Sequence, residues 1–207
     1  MYTCATCGQF RCKSGELDQL PLNCPCSETE EIEKQKELYF EKENYKIAYN
    51  GAILEAEGYC KKTRLEETMD FAGRCGYKKL GVAFCVGLKR EAKTLCAILR
   101  HNGFEVNSVA CKNGSIPKEF LHIEDHEKIR PGSYEAMCNP IGQALFLNKA
   151  ETEFNIILGL CVGHDSRFIK YAEAPVTTFA VKDRVLAHNP MGALYTSEGY
   201  YKNKLYK

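Results

Sequence analysis

Gly81-Val82-Ala83-Phe84-Cys85-Val86-Gly87 and its echo Ile157-Leu158-Gly159-Leu160-Cys161-Val162-Gly163 decide the fold. Each is an apolar run too short for a buried helix. Each ends in Cys-Val-Gly and passes into a segment of helical character, the pattern of a buried strand, a tight turn and a helix start. The alternation continues outward from these two stretches. Leu80 to Phe84 is a strand, Lys89 to His101 a helix stopped by Gly103, and Phe104 to Ala110 a strand ending at Cys111. Lys112 to Ser133 reads as a polar surface loop, Pro140 to Ala150 as a helix and Phe154 to Leu160 as the third strand. A short helix near Asp165 to Tyr171, a strand Val176 to Val181 and a last short helix begun by Asn189-Pro190 complete the chain. Such alternation predicts an α/β fold, a Rossmann-like or flavodoxin-like mostly parallel sheet with covering helices.

Upstream the character changes. Residues 1–27 carry five cysteines and almost no periodic apolar pattern, so a metal would have to organise them. From Ser27 to about Gly58 the chain reads as one long helix, with Ser27 and Glu30 spaced as a capping box. A second helix runs from Arg64 to Cys75 and stops at Gly76. The expected organisation is a cysteine-rich head (1–27), a helical connector packed on the core (28–76) and an α/β domain (77–207).

The 207 residues have a net charge of +1, 44% hydrophobic and 27% charged residues, which suits a soluble globular protein and gives no bias toward nucleic acid or membrane. The first residues lack a signal-peptide pattern, and no apolar run approaches the roughly 20 residues that span a bilayer. A cytoplasmic location is expected. In a reducing cytosol twelve cysteines point to metal or thiol chemistry rather than a disulfide framework.

Cys85, Cys111 and Cys161 each follow a strand, and Cys138 precedes the helix start Asn139-Pro140. In an open α/β sheet these positions share the strand C-terminal edge, where ligands bind. Four thiols there suit a [4Fe–4S] cluster, or three thiols with one open iron site. Gly87 and Gly163 are the cofactor-binding candidates, since their turns bring backbone N–H groups close to an anionic centre. Four single cysteines from separate strand ends are an unusual pattern for zinc, which commonly takes paired C-x2-C knuckles. The head, Cys4-x2-Cys7-x4-Cys12-x11-Cys24-x-Cys26, contains such a pair. Cys4, Cys7, Cys12 and Cys24 are the candidate ligands of a second cluster or a zinc, with Cys26 spare. A Cys4–Cys7 thiol–disulfide pair is the weaker alternative, because no strand precedes it.

His164 follows the second Cys-Val-Gly turn. His188 precedes Asn189-Pro190, as Cys138 precedes Asn139-Pro140. Both are candidate catalytic or ligand residues, or helix-start residues bonded to backbone. Cys96, inside an amphipathic helix, reads as core, and Cys60 and Cys75 lean the same way. Dinucleotide, phosphate-loop and nucleophile-elbow motifs are absent.

Beyond these cysteines, the chain resembles a family of uncharacterised, predicted metal-binding proteins of anaerobic bacteria and archaea. The resemblance covers nearly all of it. It is carried by the head, by Thr63-Arg64-Leu65-Glu66-Glu67-Thr68, Gly81 to Gly87 and Arg130-Pro131-Gly132-Ser133, and by Met137-Cys138-Asn139-Pro140, Gly159 to Asp165, Pro175-Val176-Thr177-Thr178 and Val181-Lys182-Asp183-Arg184 through His188-Asn189-Pro190. It implies metal binding through cysteines and supplies no activity.

The resulting expectation is an iron–sulfur protein with one or two [4Fe–4S] clusters, zinc being possible at the head. A redox partner or a small-molecule substrate would go with redox or sulfur-transfer chemistry. The rivals are a non-catalytic zinc-binding interaction module and a metal-free thiol or persulfide carrier.

Overall fold

A computed structural model describes residues 1–207. The chain divides into two compact units, Met1–Tyr59 and Cys60–Lys207.

In the first unit no residue of 1–27 is buried. The head is a 3-10 turn at Cys4–Thr6, one helical turn α1 (Arg11–Ser14) and a 3-10 turn at Pro25–Ser27. The expected single long helix is instead two, α2 (Thr29–Tyr39) and α3 (Lys42–Gly58). The chain turns at Glu41, whose backbone is extended (φ −60°, ψ 136°). Asn44 holds the break by donating Nδ2 to Leu38 O at 3.0 Å and to Glu41 Oε2 at 3.1 Å, joining the Glu41 N–H (3.3 Å) on the Leu38 carbonyl at the end of α2. The capping box expected at Ser27 does not form. Ser27 Oγ donates to Cys24 O at 2.7 Å, and Glu28 is the N-cap without a side-chain bond. Serine here closes the cysteine turn and leaves the helix uncapped.

The second unit opens with α4 (Arg64–Arg74), fixed by a complete capping box between Thr63 and Glu66. Then follow β1 (Lys79–Phe84), α5 (Lys89–His101), β2 (Glu105–Ala110), α6 (Pro140–Lys149), β3 (Phe154–Leu160), α7 (His164–Tyr171), β4 (Val176–Val181), α8 (Met191–Tyr195) and α9 (Lys202–Leu205). The four strands form one parallel sheet in the order β2-β1-β3-β4. This is a doubly wound, flavodoxin-like order, with its switch point between β1 and β3. No helix is long and apolar enough to cross a membrane.

Side-chain alternation along the strands builds two apolar layers. Leu80, Val82, Val106, Ile156 and Leu158 pack with Leu95, Cys96 and Leu99 of α5 and Ala72 of α4. Ala83, Cys85, Cys111, Ile157 and Leu160 pack with Ala144 and Leu147 of α6 and Phe168 of α7. Every residue of β3 is buried, so its run is continuously apolar except for Asn155 and Gly159. Each aliphatic side chain there contributes roughly 1.5–3 kcal/mol. Asn155 lies across from Gly81, where a Cβ would come within 1.9 Å of Asn155 Oδ1; the glycine exists to admit the amide. The β3–β4 register shifts on either side of Leu158, and Gly159 has φ +68°. Leu158 and Leu160 therefore face opposite layers, and the strand bends just before Cys161.

Candidate thiolate site at the strand C-terminal edge

Three βα junctions deliver the four expected cysteines, the β2–α6 connection carrying both Cys111 and Cys138. Cys85 N donates to Leu158 O at 3.1 Å and Cys111 N to Phe84 O at 2.9 Å, so both extend the ladder by one residue. Cys85 and Cys111 are 8% and 2% exposed, while Cys138 and Cys161 are partly exposed. Three of these thiols form a connected set: Cys85 is hydrogen-bonded to Cys111, Cys111 to Cys138, and Cys138 to His164. Cys161 Sγ accepts from Arg184 Nη2 at 3.3 Å, and the same guanidinium lies within the field of Cys85 and Cys138.

The electrostatics follow from this chain. Cys111 bonding draws Cys85 down to about 5, helped by the Gly87 N–H and the Lys182 charge against the cost of burial. Cys138 is drawn down to about 4 by Cys111 first and His164 next. Cys111 is pushed up, because losing its proton would set three thiolates side by side. It keeps that proton although Val86 N donates to its sulfur at 3.3 Å. His164 is raised by its bond to Cys138, giving an imidazolium–thiolate pair.

Several residues that position the thiols are single polar side chains. Asn139 caps α6 by accepting from Gly142 N at 2.9 Å, and its Nδ2 donates to Asn113 Oδ1 at 3.0 Å. Asn113 Nδ2 in turn donates to Ala110 O at 3.0 Å and Asn139 O at 2.9 Å. This clasp ties the segment carrying Cys111 to the one carrying Cys138. Beneath it the fully buried Gln143 donates Nε2 to Val109 O at 2.7 Å and Phe84 O at 3.2 Å, joining the ends of β2 and β1. Between the two cysteines the expected loop is bent by three 3-10 turns and pinned by a largely buried Lys118–Glu135 ion pair at 2.5 Å. Lys112 Nζ donates to Ala136 O at 2.5 Å, beside Cys138.

Gly87 sits in the 3-10 turn Val86–Leu88, where a Cβ would lie 3.8 Å from Cys85 Sγ and 3.9 Å from Lys182 Nζ. Gly163 adopts φ +82° as the N-cap of α7 and meets nothing within 4 Å. His188 is not brought to a thiol. Its Nδ1 accepts from Asp183 N at 3.2 Å, and it sits at φ +66° in its own loop. The echo between Cys138-Asn139-Pro140 and His188-Asn189-Pro190 fails at the cap, since α8 starts after Pro190 with no side-chain cap. Cys96 and Cys75 lie in the core and Cys60 is exposed.

In the head, Cys7 Sγ accepts from Phe10 N at 3.5 Å and also from Gln9 N, which lowers its pKa. Cys26, expected to be spare, is hydrogen-bonded to Cys24 and lies within the field of Cys12 and Cys4, which together raise it. It is therefore grouped with three of the four expected head ligands.

No three His, Cys, Asp or Glu side chains converge as they would around one metal ion, in the head or at the sheet edge. A single zinc needs its sulfurs at about 2.3 Å from one point. An iron–sulfur cluster instead takes its thiolates on separate irons. The edge carries four thiols, backbone N–H groups aimed at sulfur, and the cations Lys182 and Arg184.

Residues 24–179 match the family described as "Protein of unknown function (DUF1847)". An uncharacterized protein of Methanocaldococcus jannaschii is 48% identical over 202 residues, covering 98% of this chain and 97% of the relative. No solved structure matches the chain.

Proposed function

The chain belongs to the DUF1847 family, and from that premise we propose that it is a cytoplasmic iron–sulfur protein. Cys85, Cys111, Cys138 and Cys161 would line the principal centre, as four ligands or as three with one open iron site. The observation that carries this reading is the linkage of three thiols through Cys111, with Cys161 on the same sheet edge bonded to Arg184, whose charge also feels Cys85 and Cys138. Coincidence would have to place four cysteines from four chain segments at the ligand edge of one sheet. Such a centre, when bound, supplies one-electron transfer or Lewis acidity. The residues around it offset charge (Lys182, Arg184), hold a proton beside it (His164 on Cys138) and keep its ligands spaced (Gln143, Asn113, Asn139).

The head would hold a second centre, a cluster or a zinc, drawn from Cys4, Cys7, Cys12, Cys24 and Cys26. The Cys7 thiolate accepting two backbone N–H bonds suits a soft-metal knuckle. A redox partner or a small substrate at the sheet edge goes with this reading. One observation favours a second reading, a metal-free thiol or persulfide carrier: the Cys138–His164 pair has the form of an activated nucleophile.

Anaerobic purification followed by iron, zinc and acid-labile sulfide analysis decides between them. Iron matched by sulfide, with broad absorption at about 400 nm, is the expected result. Protein that is metal-free after anaerobic, metal-replete preparation refutes the cluster and leaves the thiol carrier. Zinc alone leaves a structural module.

A further inference from the structure

We infer that the four edge thiols divide three and one: Cys85, Cys111 and Cys138 hold the centre, while Cys161 with Arg184 forms an exchangeable corner that binds a small anion. This rests on the cluster reading and deepens it.

The division is visible in who contacts whom. Cys85 and Cys138 are each joined to the Cys111 sulfur. Cys161 stands outside that chain, and its Sγ is held by Arg184 Nη2 at 3.3 Å. Burial runs the same way. Cys85 and Cys111 are 8% and 2% exposed, whereas Cys161 is partly open and Val162 beside it is 93% exposed. Backbone geometry agrees as well. Cys85 and Cys111 continue regular ladders, but Cys161 lies between Gly159 and Gly163, both at positive φ, beyond the register shift of β3 against β4.

The corner is also cationic. Arg184 forms no salt bridge to a carboxylate, and it spans the field of Cys161, Cys85 and Cys138. Lys182 Nζ and the Cys85 sulfur both lie within 4 Å of the space above Gly87. The nearby carboxylates are committed to backbone: Asp183 Oδ1 accepts from Val185 N and Leu186 N, and Asp165 Oδ1 from Ser166 N. A guanidinium that holds a thiolate at one moment can hold a carboxylate or hydrosulfide at another, because it offers several donors in a fixed fork.

The test uses the full chain, prepared anaerobically, with sodium sulfide as the anion probe. Cys161→Ala is expected to keep its iron and sulfide within about twofold of wild type, while Cys138→Ala loses about tenfold or more. Arg184→Gln is expected to keep iron but to need about tenfold more hydrosulfide for the same change in visible and electron-paramagnetic spectra. Iron loss in Cys161→Ala equal to that in Cys138→Ala overturns the division, provided far-ultraviolet circular dichroism shows both folded. Unchanged hydrosulfide titration in Arg184→Gln overturns the anion site.

Chelator-stripped protein gives an independent reading. Diamide removes two electrons and two protons from two thiols, forming one disulfide and the hydrazine. The expected bond joins Cys111 to Cys85 or Cys138, and a disulfide at Cys161 overturns the division. A wild type without iron refutes the cluster reading, and the diamide result still decides which thiols belong together.

Discussion

Gln143→Met separates the positioning of the thiols from the stability of the fold. Gln143 is fully buried, and its Nε2 bridges Val109 O at 2.7 Å and Phe84 O at 3.2 Å, one residue before Cys85 and two before Cys111. Methionine matches the volume, so packing loss is small. Two hydrogen bonds disappear, at about 1 kcal/mol each. Phe84 O keeps the Cys111 N–H at 2.9 Å. Val109 O still faces the Phe84 N–H in the parallel β1–β2 register, and deleting Gln143 Oε1, itself buried without a partner, returns part of the loss. The net loss is about 1–2 kcal/mol, or roughly 2–8 °C in Tm for a chain of this size. Metal retention should respond far more. With the clamp gone the β1 and β2 ends are free to splay, and loss of an outer-shell contact of this kind costs about 10–100-fold in metal affinity. The assay pairs thermal unfolding of stripped protein with chelator competition for iron. Ile156→Val, at about 1 kcal/mol, is a control of similar stability in the opposite apolar layer. Equal iron retention in the two variants would refute the clamp.

Two further outcomes follow from local geometry. Gly81→Ala drives a Cβ to 1.9 Å from Asn155 Oδ1 and 2.9 Å from Leu147 Cδ1, with Asn155 pinned by Thr152 Oγ1 at 2.9 Å. A loss of about 2–4 kcal/mol, read as a fall in Tm or in urea midpoint, is expected, and a shift within about 0.5 kcal/mol would show that the β1–β3 contact is looser than described. In stripped protein, Cys138 ionises at about 4 because Cys111 and then His164 bond its sulfur. Its alkylation by iodoacetamide should stay level from about pH 8 to about pH 5.5 and fall only nearer that value, whereas an ordinary thiol loses about tenfold per unit below about pH 8.5. By linkage the lowered pKa adds stability as pH rises from about 4 toward about 8.5, and the fold surrenders it on acidification. Peptide mapping at each pH reads the first effect, and an ordinary-thiol profile at Cys138 would contradict the assigned contacts.

The strands were legible because each is a short apolar run closed by a turn, and β4 occupies the expected residues, Val176–Val181. Cys85, Cys111 and Cys161 were legible for the same reason, since a residue that follows a parallel strand has only one edge to occupy. The single long helix was not, because α2 and α3 share one apolar rhythm across the break. Only Asn44, reaching back to Leu38 and Glu41, marks it. Asn113 and Gln143 carried no signal at all. The partners that tie them to other segments lie 26 to 59 residues away in sequence, and periodicity reports only on neighbours along one element. Cys26 was hidden otherwise: its bonded partner is Cys24, two residues away, while Cys12 and Cys4 reach it through their charge across turns with no buried side chain.

Topology explains why the edge, rather than any motif, gathers the chemistry. In the order β2-β1-β3-β4 the crossovers leave β1 and β3 in opposite directions, so a crevice opens between their C-terminal ends. Cys85 and Cys161 follow those two strands and flank it. Cys111 and Cys138 enter from the β2 side, held by the Asn113–Asn139 clasp, and Lys182 and Arg184 enter from the β4 side. Thiols therefore approach the crevice chiefly from one side, with Lys112 beside Cys138, while Lys182 and Arg184 approach from the other. Negative charge placed there, on sulfur or on a bound anion, meets its compensation across the switch point. Reversing the sign at Arg184 would then be expected to disturb Cys161 before it disturbs Cys111, whose contacts lie on the far side.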